Sequence, residues 1–208
     1  MHTPYHFKIT DPILIDQFIR DHSFATLISM GESYPLATHI PLELEINARG
    51  EQVLWGHVSK SNAQWKSFAP NPMILATFLA PIDHYISSSW YAKANVPTWN
   101  YMSVHVSGRI KIMDGEGLKE SLRRIVNKYE EHSTHPIAFD TLPVEVQDQM
   151  KGIIAFEIQI DKKEANFKLS QNRNDEDFKN IITRLNESGN TTSIKMAEAM
   201  MHYRKTTE

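Results

Sequence analysis

The sequence predicts a mainly β, α+β chain: an antiparallel β-barrel, closed or split, with peripheral helices. Three observations predict it. Apolar and polar residues alternate with period two in several runs between Phe24 and Met113, and again from Ile153 to Ile160. Turn residues or short polar loops separate these runs, as an antiparallel meander requires. Helical spacing is confined to the start, the middle and the end of the chain.

The first element is a short amphipathic helix within Thr10 to Arg20. Asp11 is its N-cap, Pro12 its first helical residue, and Ile13, Leu14 and Phe18 its apolar side. Phe24 to Ser29 is a strand, and Gly31-Glu32-Ser33 reverses the chain. Next, Leu36, Ile40, Leu42, Leu44 and Ile46 alternate with Ala37, His39, Glu43 and Glu45, which predicts a half-buried strand with the glutamates on its polar face. Pro41 cannot donate a ladder hydrogen bond, so this strand bulges or lies at an edge. Val53 to Val58 and Met73 to Leu79 are further strands, joined by a polar loop and a short helix, Ala63 to Phe68, capped by Asn62. A long strand runs to about Met113, with Met102, Val104, Val106, Ile110 and Ile112 on one face and a bulge at Gly108. Leu118, Leu122, Ile125 and Tyr129 then take helical spacing. After the strand Ile153 to Ile160 comes a helix, Asn174 to Leu185, with Asn174 as cap and Asp177 at its third position. The last stretch carries IKMAEAMMHY, a methionine-bearing segment suited to packing on a partner.

Composition bounds the chemistry. The 208 residues, 41% of them apolar, suit one folded domain, expected over residues 1–186 with a C-terminal tail, possible short helix included, at 187–208. With 22 Lys and Arg against 25 Asp and Glu, the net charge of -3 gives no reason to expect indiscriminate nucleic-acid binding. No cysteine is present, which excludes disulfides, thiolate metal sites and a cysteine nucleophile. A secretory leader and an apolar span are both missing, so a soluble cytoplasmic protein away from membranes is expected. Hydrolase, Walker and dinucleotide motifs do not occur, and no side chain is singled out as catalytic. His132 and His135 lack further ligands, so no metal site is expected; His39, His57 and His105 sit on strands, where they line a cleft or pack structurally.

Three stretches could bind a ligand. In the loop after Val58, Ser59, Lys60, Ser61 and Asn62 offer hydroxyls, an ammonium and backbone N–H groups at a helix start, the needs of a phosphate dianion, with Trp65 nearby. The same residues also make an ordinary capped turn. An aromatic and polar group contains His84, Tyr85, Ser87, Trp90, Tyr91, Trp99, Asn100 and Tyr101, flat rings able to sandwich a planar ligand or to pack the loop itself. Finally, Phe167-Lys-Leu-Ser-Gln-Asn-Arg173 places two cations and three hydrogen-bonding side chains directly after the last strand, to complete an anionic site or to shape the loop and cap the helix.

Taken in order, ATHIPLEL (37–44), GHVSKSNAQW (56–65), YISSSWY (85–91), VPTWNYMSVHVSG (96–108), MKGIIAFEI (150–158) and KLSQNR (168–173) make the chain resemble the PaiB family of FMN-binding negative transcriptional regulators. The resemblance implies an FMN-binding split β-barrel over residues 1–186, FMN as cofactor, and a homodimer with FMN at the subunit interface. By the same resemblance, His57, Ser59, Lys60, Ser61, Asn62 and Trp65 belong to the phosphate clamp, and Thr38, His39 and Ile40 to the strand along the flavin ring. Tyr85, Ser87 and Trp99 would bind the cofactor, and Asn100, Tyr101 and Ser103 would contact the partner's flavin. Lys168, Ser170, Gln171 and Arg173 would close the site with a cation near the ring's N1–C2=O edge, where reduction places negative charge. It also implies a regulator of sporulation and degradative-enzyme genes, with DNA as a partner on the family's account alone. Two further functions fit the residues: an FMN-dependent oxidoreductase using NAD(P)H, in which the flavin carries the hydride, and a barrel that serves only as an interaction module.

Overall fold

The computed structural model describes residues 1–204. In chain order its elements are β1 (Lys8–Ile9), α1 (Pro12–Asp21), β2 (Phe24–Met30), β3 (Pro35–Pro41), β4 (Glu43–Ile46), β5 (Gln52–Ser59), β6 (Met73–Leu79), β7 (His84–Ile86), β8 (Thr98–Ile112), α2 (Gly115–Glu130), α3 (Val144–Gln147), β9 (Ile153–Lys168), α4 (Asp175–Glu187) and α5 (Thr191–Arg204), with short 3-10 turns between them. They group into two compact units: residues 16–78 with 106–163, and residues 1–15 with 79–105 and 164 onward.

The first unit is an antiparallel sheet in the order β3-β2-β6-β8-β9-β5-β4, a path that curls without closing. Its interior is filled by Leu27, Leu42, Leu44, Leu54, Phe68, Phe78, Phe156 and Ile158, all at or near zero exposure, with Phe68 and Phe156 edge to face at 5.5 Å. The expected single strand from Leu36 to Ile46 is two strands, broken at Leu42, whose N–H bonds the Ser23 carbonyl at 2.8 Å. Pro41 ends β3, the edge strand, where its missing donor costs the ladder nothing. Gly108 answers to a close approach: a Cβ there would lie 2.2 Å from the Gln159 carbonyl oxygen.

Alternation places Glu43 on a solvated face, yet it is 3% exposed. Helix α2 covers that face: Lys128 Nζ and Tyr129 Oη both donate to the Glu43 carboxylate, Tyr129 at 2.7 Å, and Arg124 pairs with Glu45 at 2.9 Å. Arg124 also lies 5.0 Å above the ring of Trp55, the cross-strand neighbour of Glu43. Burial and the Glu43 carboxylate together raise the Tyr129 phenol above its ordinary value, burial being the larger cause.

In the second unit, β1 pairs with the end of β9, Lys8 opposite Asn166, and β7 pairs with the start of β8, His84 opposite Asn100. The last strand runs on to Lys168 rather than ending at Ile160, because Ala165, Asn166 and Phe167 are buried beyond the charged stretch at 161–164. Asn174 caps α4 by accepting from the Asp177 N–H at 2.8 Å, and the Asn174 amide donates back to Asp177 at 3.0 Å. The methionine segment lies in α5, where Met196, Ala197 and Met200 are buried within the chain itself and Met201 is left exposed. Residues 205–208 of the expected tail lie outside the described residues.

Candidate functional site

The expected site residues fall into two groups, one in each unit. In the sheet unit, Ser59, Lys60 and Ser61 are exposed at the end of β5 and form a tight hydroxyl turn: the Ser61 N–H donates to Ser59 Oγ at 3.2 Å, and the two hydroxyls are 2.8 Å apart. The backbone N–H of Lys60 is anchored on the Gly152 carbonyl at 2.9 Å, while its ammonium has no partner among the described residues. Asn62 does two jobs. Its carbonyl oxygen accepts from the Gln64 N–H at 3.0 Å, capping the 3-10 turn Ala63–Ser67, and its amide donates to Thr38 Oγ1 at 2.9 Å.

Thr38 in turn donates to Gln64, a residue inside the GHVSKSNAQW stretch to which the sequence assigned no role. It is 3% exposed and its amide nitrogen reaches the Leu27 carbonyl (3.1 Å), the Leu36 carbonyl (3.1 Å) and Ser29 Oγ (3.2 Å). One carboxamide therefore binds the loop to both β2 and β3. A glutamine inside a run of small polar residues gives no periodic signal, and only its burial exposes the role. Trp65 is engaged in the same way: its indole N–H donates to the Lys60 carbonyl at 3.0 Å, so the ring closes the loop and keeps no free donor.

The strand faces sort the remaining residues. His39 is exposed and opposite Thr26, while Thr38 is opposite buried Leu27 and Ile40 opposite buried Ala25. His57 lies on the face of Trp55, and its Nδ1 is buried without a hydrogen-bond partner among the described residues. Burial holds its pKa below the ordinary value, so the ring is neutral near pH 7 and offers a hydrogen bond rather than a charge. Burial lowers His105 as well, the positive N-terminal amine adds to that, and the Glu164 carboxylate opposes it.

In the other unit, Tyr85 and Trp99 are exposed and meet edge to face at 5.8 Å. Ser87 is engaged in capping a short turn, accepting from the Ser89 N–H at 3.3 Å. Asn100 and Ser103 are buried in the chain. The Asn100 carbonyl oxygen accepts from Ser170 Oγ at 3.0 Å and its amide reaches Met200 Sδ at 3.4 Å; Ser103 Oγ reaches Met1 Sδ at 3.5 Å. Tyr101 Oη accepts from the Asn166 amide at 2.8 Å. Gln171 serves its own loop, accepting from the Leu169 N–H at 2.8 Å and donating to the Phe167 carbonyl at 2.6 Å. Lys168 donates to Thr98 Oγ1, and the Arg173 guanidinium covers the Tyr91 ring at 4.8 Å. Burial, and next to it the Arg173 charge, pull Lys168 below the ordinary lysine value.

The clamp loop suits the phosphate end of FMN. Its hydroxyls and ammonium face solvent, its backbone is held by Asn62, Gln64 and Trp65, and the buried, unpartnered His57 nitrogen lies two residues before it. No cluster of three metal-ligating side chains occurs among the described residues, and no helix among them is long and apolar enough to cross a membrane.

Comparison with known proteins bears on the family and the fold. Residues 1–162 match the family described as "Putative FMN-binding domain". Over 202 residues the chain is 38% identical to "Protease synthase and sporulation protein PAI 2" of Bacillus subtilis, covering 96% of both chains, and it is 27% identical to an uncharacterized protein of Emericella nidulans over 82% of this chain and 84% of that one. Among solved structures, the flavocytochrome Anf3 of Azotobacter vinelandii matches with a TM-score of 0.62 at 17% identity, covering 80% of this chain and 72% of the other. A conserved hypothetical protein of Mycobacterium tuberculosis matches with a TM-score of 0.57 at 14% identity, over 81% and 91%. The structural likenesses establish the split-barrel fold, and by the matched domain and the Bacillus relative the chain belongs to the PaiB-like family with a "Putative FMN-binding domain".

Proposed function

We propose that the chain binds FMN through the loop Ser59 to Asn62 and acts as a flavin-binding regulator; the Bacillus relative, named for protease synthase and sporulation, supports a role in those processes. The observation that carries the FMN reading is the clamp: three solvent-facing phosphate ligands on a backbone fixed by the Thr38, Asn62 and Gln64 network. Ser59 and Ser61 would donate hydroxyl hydrogens to phosphate oxygens, Lys60 would supply charge, and neutral His57 would orient the neighbouring strand end. Thr38 and Ile40 support the β3 backbone along which the ring lies, and His39 is exposed beside it. Bound flavin supplies the redox chemistry, if any; the chain supplies binding and orientation.

A homodimer accords with the outer face of β3, β2 and β6. Phe24, Met30 and Met73 are exposed there, half-buried Ile28 and Leu75 lie between them in register, and His39 shares the same face. An apolar face of this kind around a ligand-binding histidine suits a second copy, with flavin at the interface.

Lys60→Ala tests the clamp. Losing one charge-assisted phosphate contact costs about 1.5–3 kcal/mol, or roughly 10- to 100-fold in FMN affinity, and leaves riboflavin affinity unchanged. Equal FMN affinity in the variant refutes the assignment. Sedimentation of the same preparations tests the dimer, which a monomer at micromolar concentration overturns. Retention of promoter DNA that depends on both sequence and salt supports the regulator, and sequence-independent retention speaks against it.

A further inference from the structure

We propose that Lys168 and Arg173 hold a second small anion, a phosphate- or carboxylate-bearing molecule bound separately from the FMN phosphate. Strand β9 delivers Lys168 as its last residue. The chain then turns sharply: Ser170 adopts a φ of 60°, a left-handed conformation that a serine enters only when its surroundings enforce it. The enforcement is visible, since Ser170 is 3% exposed and its hydroxyl is held by Asn100 at 3.0 Å. The Arg173 N–H closes the turn on the Ser170 carbonyl at 3.1 Å, and this brings the guanidinium back over Tyr91.

The turn therefore concentrates positive charge. Neither cation has a carboxylate within ion-pair distance among the described residues, although surface cations elsewhere, such as Arg109 and Arg123, pair closely. Lys168 uses one of its three donors, on Thr98, and Arg173 stacks on a ring, an arrangement that leaves the edge of its fork open. Beneath Arg173, the Tyr91 ring is 6% exposed and its hydroxyl is buried without a partner among the described residues. Burial and, after it, the Arg173 charge disfavour the Lys168 charge, and a bound anion offsets that penalty. On the FMN reading proposed above, the FMN phosphate has its own cation in Lys60 and the oxidised isoalloxazine ring is neutral, so the pair is assigned here to a separate anion.

The test is a titration of the full chain with inorganic phosphate, against chloride at matched ionic strength, with and without saturating FMN. The readouts are Tm and the NMR signal of the Lys168 ammonium. Phosphate should raise Tm and move the Lys168 titration upward, in wild type and in Lys60→Ala alike. Lys168→Gln with Arg173→Gln should abolish the Tm response. Should that pair fail to fold, Arg173→Gln alone should weaken the response at least tenfold, since it leaves the Ser170 to Asn100 contact in place. An equal response to chloride, one that survives the substitutions, one lost in Lys60→Ala, or one displaced by FMN overturns the proposal. The last two outcomes would assign the phosphate effect to the clamp and the cation pair to the flavin.

Discussion

Gln64→Leu removes a buried carboxamide while nearly preserving its volume. Its amide nitrogen has only two hydrogens to share among three acceptors, the Leu27 and Leu36 carbonyls and Ser29 Oγ, and its oxygen accepts from Thr38. Three net hydrogen bonds at about 1 kcal/mol each give a loss of about 3 kcal/mol. The true cost lies above that figure wherever a carbonyl left behind finds no water. For a chain of this size, about 3 kcal/mol lowers Tm by roughly 6–12 °C. Urea unfolding followed by tryptophan fluorescence measures the loss directly, as a lower midpoint at unchanged slope. Because Gln64 acts on the clamp through Thr38 and Asn62, the folded variant should also lose FMN affinity with riboflavin affinity less affected. A stability loss under 1 kcal/mol would refute the reasoning, since it would mean that the carboxamide is not the tie between β2, β3 and the loop.

Two further outcomes follow from packing and titration. A Cβ at Gly108 would meet a backbone oxygen at 2.2 Å, whereas at Gly56 it would meet the movable side chains of Leu42 and Phe156 at 2.6 and 2.9 Å, so Gly108→Ala should destabilise more than Gly56→Ala, whose cost is about 1–3 kcal/mol, as measured by urea unfolding. Burial lowers the pKa of His22, His57 and His105 below the ordinary value of 6.5. The unfolded chain therefore takes up protons first as pH falls, so stability present at pH 7 is lost progressively below about 6.5, by at most about 1.4 kcal/mol per pH unit for one such histidine. His57→Gln should flatten that pH dependence in a series of thermal melts, and an unchanged profile would place the linkage elsewhere.

Much of the fold is legible in the order of residues along the chain. Period-two alternation locates β8 because its Met102, Val104, Val106 and Ile110 face lies in the core, and Asn62 and Asn174 announce their caps because a short side-chain acceptor before a helix is the usual cap. The clamp loop is readable for the same local reason: hydroxyls, a cation and a helix start are adjacent in sequence. Alternation misleads at Glu43, since it reports which residues share a face and not what covers that face; α2 does so from residues far along the chain.

Sequence alone thus determined the fold class, most strand positions, the caps at Asn62 and Asn174, and the family. Tertiary structure alone decided that Gln64 ties the clamp loop to two strands, that Asn100 and Ser103 turn inward, and that Arg173 lies over Tyr91 while Lys168 bonds Thr98. The physical reason is range. Propensity, capping and alternation act over a few residues and are written in order along the chain, whereas burial and charge compensation depend on partners that only folding brings together.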